Sequence, residues 1–516
     1  MLILVSCIIS FGTALALLIL RIVRPNARYA WLVAIGGAFL ALVSVVVWLS
    51  QVPITLILLV WRPIALFVNP IAFQADGLSW AYSMSLSALT LAILLTAVAR
   101  PMFTNSYTWA ATLGMCGLGF LAVTANNPLT LLLVWATLDI AELLIQLRSV
   151  DGPENNEKVV VSFSTRALGI GVLLWANIVS ISSGRAFDFV SITPNAGLYL
   201  VLAAGLRLGV LPLHLPYTAE STLRRGFGTS LRLVSAASSL VLLARIPAGS
   251  LESIFTPILL GLALIAAIYG GWMWLRAPDE LYGRPYWIIG IAALSVTSAL
   301  LGNAPGAVAW GCVLVLAGGM LFLASVQQVW LNRIMLISAF SLSSLPLSLT
   351  ASVWVKSSAP FSPFALAAQA LLAAGFVRHA LRPGGRDSLE AQPNWTRTVY
   401  PAGIGLLIVV QFLLGLIGWD GAGQFGMWGY ASTVSLLVIG LVWASPRFRV
   451  LNPIRGQWIN PAPARSARIF DVFWGMYRAL GRFSETINSA LEGEGGIMWT
   501  LLFLVLFISI MTQGAR

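Results

Sequence analysis

Two carboxylates, Asp139 and Glu142, stand three residues apart in the apolar run 127–147. Side chains at this spacing share one face of a helix. Two carboxylates so close together cannot both ionise cheaply in a low-dielectric medium, so either one is protonated or a cation neutralises the pair. The pair therefore indicates one of two roles: a carboxylate whose proton affinity depends on a nearby cation, or a structural ion pair that fixes the packing of two helices.

Arg207 is the first candidate for that cation. It lies near the middle of the apolar stretch 198–225, which Pro212 and Pro216 interrupt. A charge at membrane depth is costly, and proline removes a backbone donor where no water can replace it. This combination predicts a broken helix that presents a cation to an internal polar path. The alternative is an arginine whose long side chain extends from a buried helix to the membrane surface.

Further ionisable residues lie in or beside the apolar runs. Arg166 and Arg232 are expected nearer the inner ends of their helices, where their side chains can reach the membrane surface. Only two of the 30 basic residues are lysines, and arginine does not release its proton in proteins, so few groups here could carry a proton. The candidates for a proton or ion path are Asp139, Glu142, Arg166, Arg207, His214, Arg232 and Lys356.

Composition identifies a polytopic α-helical membrane protein. Of 516 residues, 59% are hydrophobic and 9% are charged, and the apolar runs lack the alternation of a membrane β-barrel. The net charge of +12 comes from arginines between the apolar runs, where they set orientation, so no nucleic-acid partner is expected. The sequence contains no phosphate loop, dinucleotide fingerprint or paired cysteines, so we expect no cofactor, no metal and no redox or hydrolytic site of its own.

Sixteen spans are predicted from the length of the apolar runs. Residues 52–73 carry Arg62 and three prolines, so an extended or hairpin layer outside the membrane is expected there instead. The arginine-rich loops then fall on the inner side and both termini outside. The spans are 2–22, 29–49, 77–99, 107–124, 127–147, 159–181, 196–216, 228–246, 253–275, 284–302, 305–326, 334–353, 363–380, 398–418, 431–445 and 496–513.

Residues 464–491, between the last two predicted spans, have aromatic and aliphatic residues at helical spacing with arginines between them. This pattern predicts an amphipathic helix that lies along the inner membrane surface. Such a helix either anchors the chain to the membrane or braces this subunit or a neighbouring one.

Several motifs recur together along most of the chain. Residues 73–79 read Phe-Gln-Ala-Asp-Gly-Leu-Ser, residues 127–130 read Asn-Pro-Leu-Thr and are followed by Trp135, and residues 205–216 read Gly-Leu-Arg-Leu-Gly-Val-Leu-Pro-Leu-His-Leu-Pro. With Ser-Leu-Pro at 344–346, they resemble the third-helix entry, the fifth-helix start and the broken seventh and twelfth helices of one family. That family is the antiporter-like membrane subunits of respiratory complex I, Mrp cation antiporters and membrane-bound hydrogenases.

The resemblance implies an all-α polytopic fold of about 16 transmembrane helices, with helices 7 and 12 broken at Pro212, Pro216 and Pro346 and an amphipathic lateral helix before the last span. It divides the chain into N-terminal helices with an outside hairpin (1–100), a first antiporter-like repeat (101–250) and a second one (251–430). A C-terminal part (431–516) holds a span, the lateral helix and the anchor span.

Members of the family are understood to move protons along a line of mid-membrane charges. At the four matching positions this chain has Ala136, Arg207, Ala237 and Trp354. Two functions follow. One is a membrane subunit of a complex I-like or Mrp-like assembly that translocates protons or cations through an altered charge line. The other is a non-conducting structural subunit that docks a catalytic partner, either a redox module or an inorganic-carbon-uptake subunit.

Both functions imply the same surroundings. The partners would be other membrane subunits of a hetero-oligomeric complex, such as one like NADH:quinone oxidoreductase or a hydrogenase, together with the lipid bilayer. The location would be a bacterial plasma membrane.

Overall fold

The apolar runs form α-helices, because in lipid every backbone N–H and C=O must find its partner within the protein. This is seen in a computed structural model, which describes residues 2–24, 29–59, 69–100, 105–149, 153–184, 187–217, 225–326, 328–354, 362–382, 389–422 and 428–445. Ten of the helices in these ranges are long and apolar enough to cross a bilayer, so the chain is a multi-pass membrane protein.

Fifteen α-helices are present in the described part of the chain. They are α1 (Leu2–Val23), α2 (Ala30–Trp48), α3 (Gly77–Thr96), α4 (Ser106–Thr124), α5 (Pro128–Ser149), α6 (Pro153–Ser182), α7 (Pro194–Leu208), α8 (Phe227–Arg245), α9 (Thr256–Arg276), α10 (Glu280–Leu300), α11 (Ala304–Leu323), α12 (Val329–Ile337), α13 (Ser362–Ala380), α14 (Asn394–Ile417) and α15 (Trp428–Ala444). Helices α3, α8 and α11 pack on one another and are almost wholly buried, so they form the centre of the bundle.

The all-α polytopic fold predicted from the sequence is confirmed, and an α-helix overlaps each of the first fifteen predicted spans, although α12 shares only residues 334–337 with the span predicted at 334–353. The count of sixteen spans stays a prediction, because ten of the described helices are long and apolar enough to cross a membrane and the last predicted span, 496–513, lies outside the described residues. The amphipathic helix predicted at 464–491 lies outside them as well.

The stretch predicted as an extended layer contributes two antiparallel strands, β1 (Ile54–Leu59) and β2 (Ile71–Ala75). Their pairing aligns Ile54 with Ala75. The strands connect to the helix bundle through α5, because the backbone N–H of Ala72 donates a hydrogen bond to Thr130 Oγ1 at 3.0 Å. The same stretch therefore positions the start of the helix that carries the two carboxylates.

Both predicted helix breaks are present. Helix α7 ends at Leu208, and Gly209 follows in the left-handed conformation with φ of +73°, which glycine adopts at little cost. Helix α12 ends at Ile337 and is followed by two 3-10 helices, Ser338–Leu342 and Leu349–Trp354. Pro346 lies between these two, in a segment where Ser344 and Leu347 have positive φ.

Helix α3 begins at a capping box. The side chain of Asp76 accepts a hydrogen bond from the backbone N–H of Ser79 at 2.8 Å, and Ser79 Oγ accepts one from the backbone N–H of Asp76 at 2.7 Å. The second carboxylate oxygen of Asp76 lies 3.1 Å from Arg245 Nη1 at the end of α8. Asp76 therefore accepts a hydrogen bond from an otherwise unpaired backbone N–H at the start of α3, and its ion pair joins α3 to the end of α8.

We expect Asp76→Ala to destabilise the protein by about 1 kcal/mol through loss of the cap, with a further loss because Arg245 keeps its charge without this partner. The measurement is thermal unfolding of the purified chain in detergent. Asp279→Ala is the matched control, since Asp279 caps α10 by accepting from Tyr282 N at 2.7 Å and forms no ion pair among the described residues. Equal losses in the two variants would show that the ion pair with Arg245 contributes nothing.

A buried arginine and carboxylate cluster

The candidate site begins with the placement of α5. Asn127 Oδ1 accepts a hydrogen bond from the backbone N–H of Thr130 at 2.9 Å at the first turn, and Trp135 Nε1 donates to the carbonyl of Ser238 on α8 at 3.0 Å. With the helix held at both points, Asp139 and Glu142 face the protein interior, where they are 1% and 0% exposed. The two carboxylates share one helix face, as their spacing predicts.

Arg207 on α7 pairs with Asp139. Its two terminal nitrogens lie 2.5 and 2.8 Å from the two carboxylate oxygens, which is the bidentate geometry that suits a guanidinium. Its Nε donates to Ser239 Oγ at 3.1 Å, and the guanidinium lies 4.3 Å from the centre of the Trp135 ring. The carboxylate of Asp139, the hydroxyl of Ser239 and the ring of Trp135 thus together replace the water that this buried cation has lost.

Glu142 is shared by two other arginines. Arg166 on α6 donates through Nη1 to one carboxylate oxygen, and Arg232 on α8 donates through Nη1 to the other at 2.6 Å. Gln146, one turn further along α5, donates to the same oxygen as Arg232 at 2.6 Å. Both oxygens of Glu142 are therefore occupied by donors from three helices.

Arg166 links the two ion pairs into one cluster. Its Nη1 lies 3.8 Å from Asp139 Oδ1 and 3.4 Å from Ser235 Oγ, and its backbone carbonyl accepts from Arg207 Nη1 at 3.3 Å. The approach of α6 to α7 that permits this needs Gly169, because a Cβ there would lie 2.7 Å from Arg207 Cγ. The cluster, defined as Asp139, Glu142, Arg166, Arg207 and Arg232, spans four helices.

Two expectations from the sequence are wrong. Arg166 and Arg232 do not extend to the membrane surface: they are 4% and 5% exposed and point at Glu142. Arg207 does not neutralise both carboxylates, because its bidentate pairing is used entirely on Asp139. The reason is that a buried carboxylate strongly attracts a nearby guanidinium. Arg166 on α6 and Arg232 on α8 are both within reach of Glu142.

The remaining predicted site residues lie elsewhere. His214 Nδ1 is 2.8 Å from the carbonyl of Pro212, and its backbone N–H donates to the carbonyl of Gly209, so these bonds stay within the break that contains Pro212 and Pro216. Within the described ranges, no hydrogen bond or ion pair joins His214 to the cluster. Lys356 lies outside the described residues, and Pro346 is in the break that follows α12.

Several contributors to the cluster were missed from the sequence. Gln146 stands four residues after Glu142, a spacing that places both on one helix face and could have identified it. Ser239 and Tyr217 gave no such signal; the Tyr217 ring lies 4.0 Å from the Arg232 guanidinium. These contacts connect separate helices, so spacing along one helix does not reveal them.

The second half of the chain has a neutral network at its helix break. Trp354 Nε1 lies 3.1 Å from both Ser344 Oγ and Gln369 Oε1, and Gln369 Nε2 donates to Ser435 Oγ at 3.0 Å. All four side chains are buried. At position 354, where the members of the resembled family carry a charged residue, this chain therefore has an indole that is hydrogen-bonded to uncharged groups.

The cluster holds three guanidinium groups and two carboxylates, all buried. Arginine keeps its proton, so only the carboxylates could exchange one. A proton arriving at either carboxylate would neutralise it and so weaken its attraction to the arginine that contacts it directly. Within the described ranges, no group of three or more histidine, cysteine or acidic side chains could hold a metal ion.

We expect Arg207→Ala to destabilise the protein by about 3–5 kcal/mol, because it leaves the buried charge of Asp139 without its bidentate partner. Removing both charges, as in the double variant Arg207→Met with Asp139→Leu, should recover most of that loss. Arg207→Lys should lie between, since it keeps a charge without the planar fork. Unfolding in detergent measures all three; a double variant as unstable as Arg207→Ala would show that the ion pair is not the cause.

Comparisons with known proteins agree on the fold. No protein-family model and no curated protein sequence matches the chain. Among solved structures, a chain of the Mrp complex from Dietzia sp. DQ12-45-1b is similar over all of this chain, with a TM-score of 0.71 and 15% identity; the protein spans 63% of that chain's length.

Two further structures are similar over most of their own length. The second structure is a chain of the membrane-bound sulfane sulfur reductase, an archaeal respiratory membrane complex. It has a TM-score of 0.67 and 14% identity, and the similarity covers 98% of this chain and 99% of the reductase chain. A chain of respiratory complex I from Thermus thermophilus has a TM-score of 0.59 and 17% identity. The similarity covers 80% of this chain and 98% of the complex I chain. The protein is therefore a multi-pass membrane protein with the fold of the antiporter-like membrane subunits of Mrp and complex I-like assemblies.

Proposed function

We propose that the protein is a membrane subunit of a hetero-oligomeric complex of the Mrp or complex I type. The three similar structures described above each come from a complex, which supports this placement. Its partners are other membrane subunits and the surrounding lipid. We assign it to a bacterial plasma membrane with both termini outside, on the basis of the arginine-rich loops predicted on the inner side.

Within that complex, we propose that the chain is a structural subunit whose buried charges are fixed rather than translocating. The observation that carries this proposal is that both carboxylates of the cluster are held by arginines, with Glu142 shared by Arg166 and Arg232. A proton relay needs groups that gain and lose protons in turn, and three of these five groups are arginines. The neutral network around Trp354 supports the same conclusion for the break after α12.

In this role the cluster holds α5, α6, α7 and α8 in one arrangement, and the rest of the chain presents surfaces to partners. The amphipathic helix predicted at 464–491 is the proposed docking element for a catalytic partner. That partner would be a redox module or an inorganic-carbon-uptake subunit, since the sequence has no catalytic motif of its own.

Translocation through an altered route is the second candidate. One observation favours it: Arg166 lies within 4 Å of both carboxylates, and its Nη2 is buried without a hydrogen-bond partner among the described residues. An arginine in that position could shift between the two carboxylates as a proton arrives. The route would use Asp139, Glu142, Arg166 and Arg207, with His214, Arg232 and Lys356 as further candidates.

Proton flux distinguishes the two functions. We expect Glu142→Gln to leave proton flux unchanged in vesicles that carry the assembled complex, because a fixed carboxylate carries no proton. Arg207→Lys should also leave it unchanged, although it introduces a cation able to release its proton. Glu280→Gln is the control, since Glu280 lies outside the cluster and pairs with Arg225 and Arg382. Altered flux in Glu142→Gln, with assembly intact and the control unaffected, would establish translocation instead.

The docking role predicts the result of a truncation. A chain that ends after Pro463 lacks the predicted amphipathic helix and should lose a partner subunit during purification of the complex. Subunit composition by mass spectrometry and complex activity are the measurements. Recovery of the whole, active complex from the truncated chain would refute the docking role without affecting the assignment of the fold.

A further inference from the structure

Helix α9 carries a continuous apolar stripe on its outer surface. Ile258, Leu262, Ile265 and Trp272 are 60%, 48%, 62% and 45% exposed. They recur at alternating steps of three and four residues, with Tyr269 filling the one remaining step, so they lie along one side of the helix. Because α9 is one of the ten helices long and apolar enough to span the membrane, this stripe is placed to face the acyl chains of lipids.

The stripe ends at an arginine. Arg276 continues the same spacing, and its guanidinium lies 5.0 Å from the centre of the Trp272 ring. An indole with an arginine above it is typical of the level at which lipid headgroups meet the hydrocarbon core. The cation is thus held at the point where a headgroup of a lipid lying on the stripe would be.

Two more arginines stand at this end of α9. Arg378 on α13 donates through Nη1 to the carbonyls of Leu275 and Ala277, the latter at 2.9 Å, so it lies beside Arg276 and is committed to the helix end. Arg382, four residues later, has a side chain that is 43% exposed and lies 3.7 Å from Glu280. Arg276 and Arg382 therefore have donors to offer a ligand, whereas Arg378 is buried against these carbonyls.

The charges at this end do not balance. Glu280 accepts from Arg225 and is near Arg382, and Asp279 caps α10 through the backbone N–H of Tyr282. Among the described residues of this helix end, the arginines (225, 276, 284, 378 and 382) therefore outnumber the two carboxylates, leaving a surplus of positive charge. This surplus lies on the predicted inner side of the membrane, where anionic lipid headgroups attract arginine.

We propose that this end of α9 binds an anionic phospholipid. The phosphate contacts Arg276 and Arg382, and an acyl chain follows the stripe from Trp272 toward Ile258. A zwitterionic lipid shares the phosphate but carries a compensating ammonium group, so it meets the positive surplus less favourably. The site is independent of the buried cluster and of whether the protein translocates ions.

The test is native mass spectrometry of the purified full-length chain in detergent, titrated with phosphatidylglycerol and, separately, with phosphatidylcholine. We expect phosphatidylglycerol to bind more tightly, and Arg276→Gln to weaken it about fivefold, with a similar further loss for Arg382→Gln. Arg276→Lys should retain most of the affinity. Inorganic phosphate should not displace the lipid, because it makes no contact with the apolar stripe.

Arg24→Gln is the matched control, since Arg24 is an exposed arginine that follows the end of another spanning helix, α1. Trp272→Leu keeps the stripe apolar and removes the stacking with Arg276, so it should weaken phosphatidylglycerol less than Arg276→Gln does. Equal binding of the two lipids, or losses in Arg276→Gln no larger than in Arg24→Gln, would overturn the proposal. Displacement by inorganic phosphate would also overturn it, since the site would then recognise a free anion.

Discussion

The packing of α5, α6 and α8 depends on the ion pairs that the carboxylate of Glu142 forms. Glu142 lies on α5 and receives one arginine from α6 and another from α8, while Asp139 receives a third from α7. Such a network rarely adds net stability, because each charge must give up its hydration. What it does is penalise alternatives: a rotated or shifted helix would leave a buried charge without its partner. The cluster therefore specifies one packing of four helices, and Gly169 allows the close approach that this packing requires.

The abundance of arginine has a second structural basis at the helix ends. The last carbonyls of a helix have no partner within the helix, so where a helix end is buried against other helices the donors must come from them. Arg245 donates to the carbonyl of Val123 at the end of α4, Arg225 to those of Phe322 and Ala324 at the end of α11, and Arg378 to those of Leu275 and Ala277 at the end of α9. The planar guanidinium presents several donors at once, and its positive charge also suits the negative end of the helix dipole. Arginine therefore serves these positions better than lysine.

Much of the fold could be predicted from the sequence because it depends on local properties. Length and hydropathy located the first fifteen helices, and glycine and proline located the breaks after α7 and α12. The spacing of Asp139 and Glu142 correctly placed them on one face. The choice of partners could not be predicted, since the positions of Arg166 and Arg232 within their own helices do not say how those helices are rotated or how deep they lie. Burial of both arginines follows only from the packing of α5, α6 and α8 around Glu142.

The cluster and the break after α12 meet the same requirement by different chemistry. Every buried polar group needs a partner, and the cluster meets this need with charges, whereas the break after α12 meets it with an indole, an amide and hydroxyls around Trp354. A charge moving from the cluster to the break after α12 would meet only dipoles in the described groups that bond Trp354, namely Ser344 and Gln369. Stabilising an ion there would take reorganised dipoles or water, and both are costly in a well-packed, low-dielectric interior. This asymmetry is the physical reason to favour a fixed cluster over a continuous path.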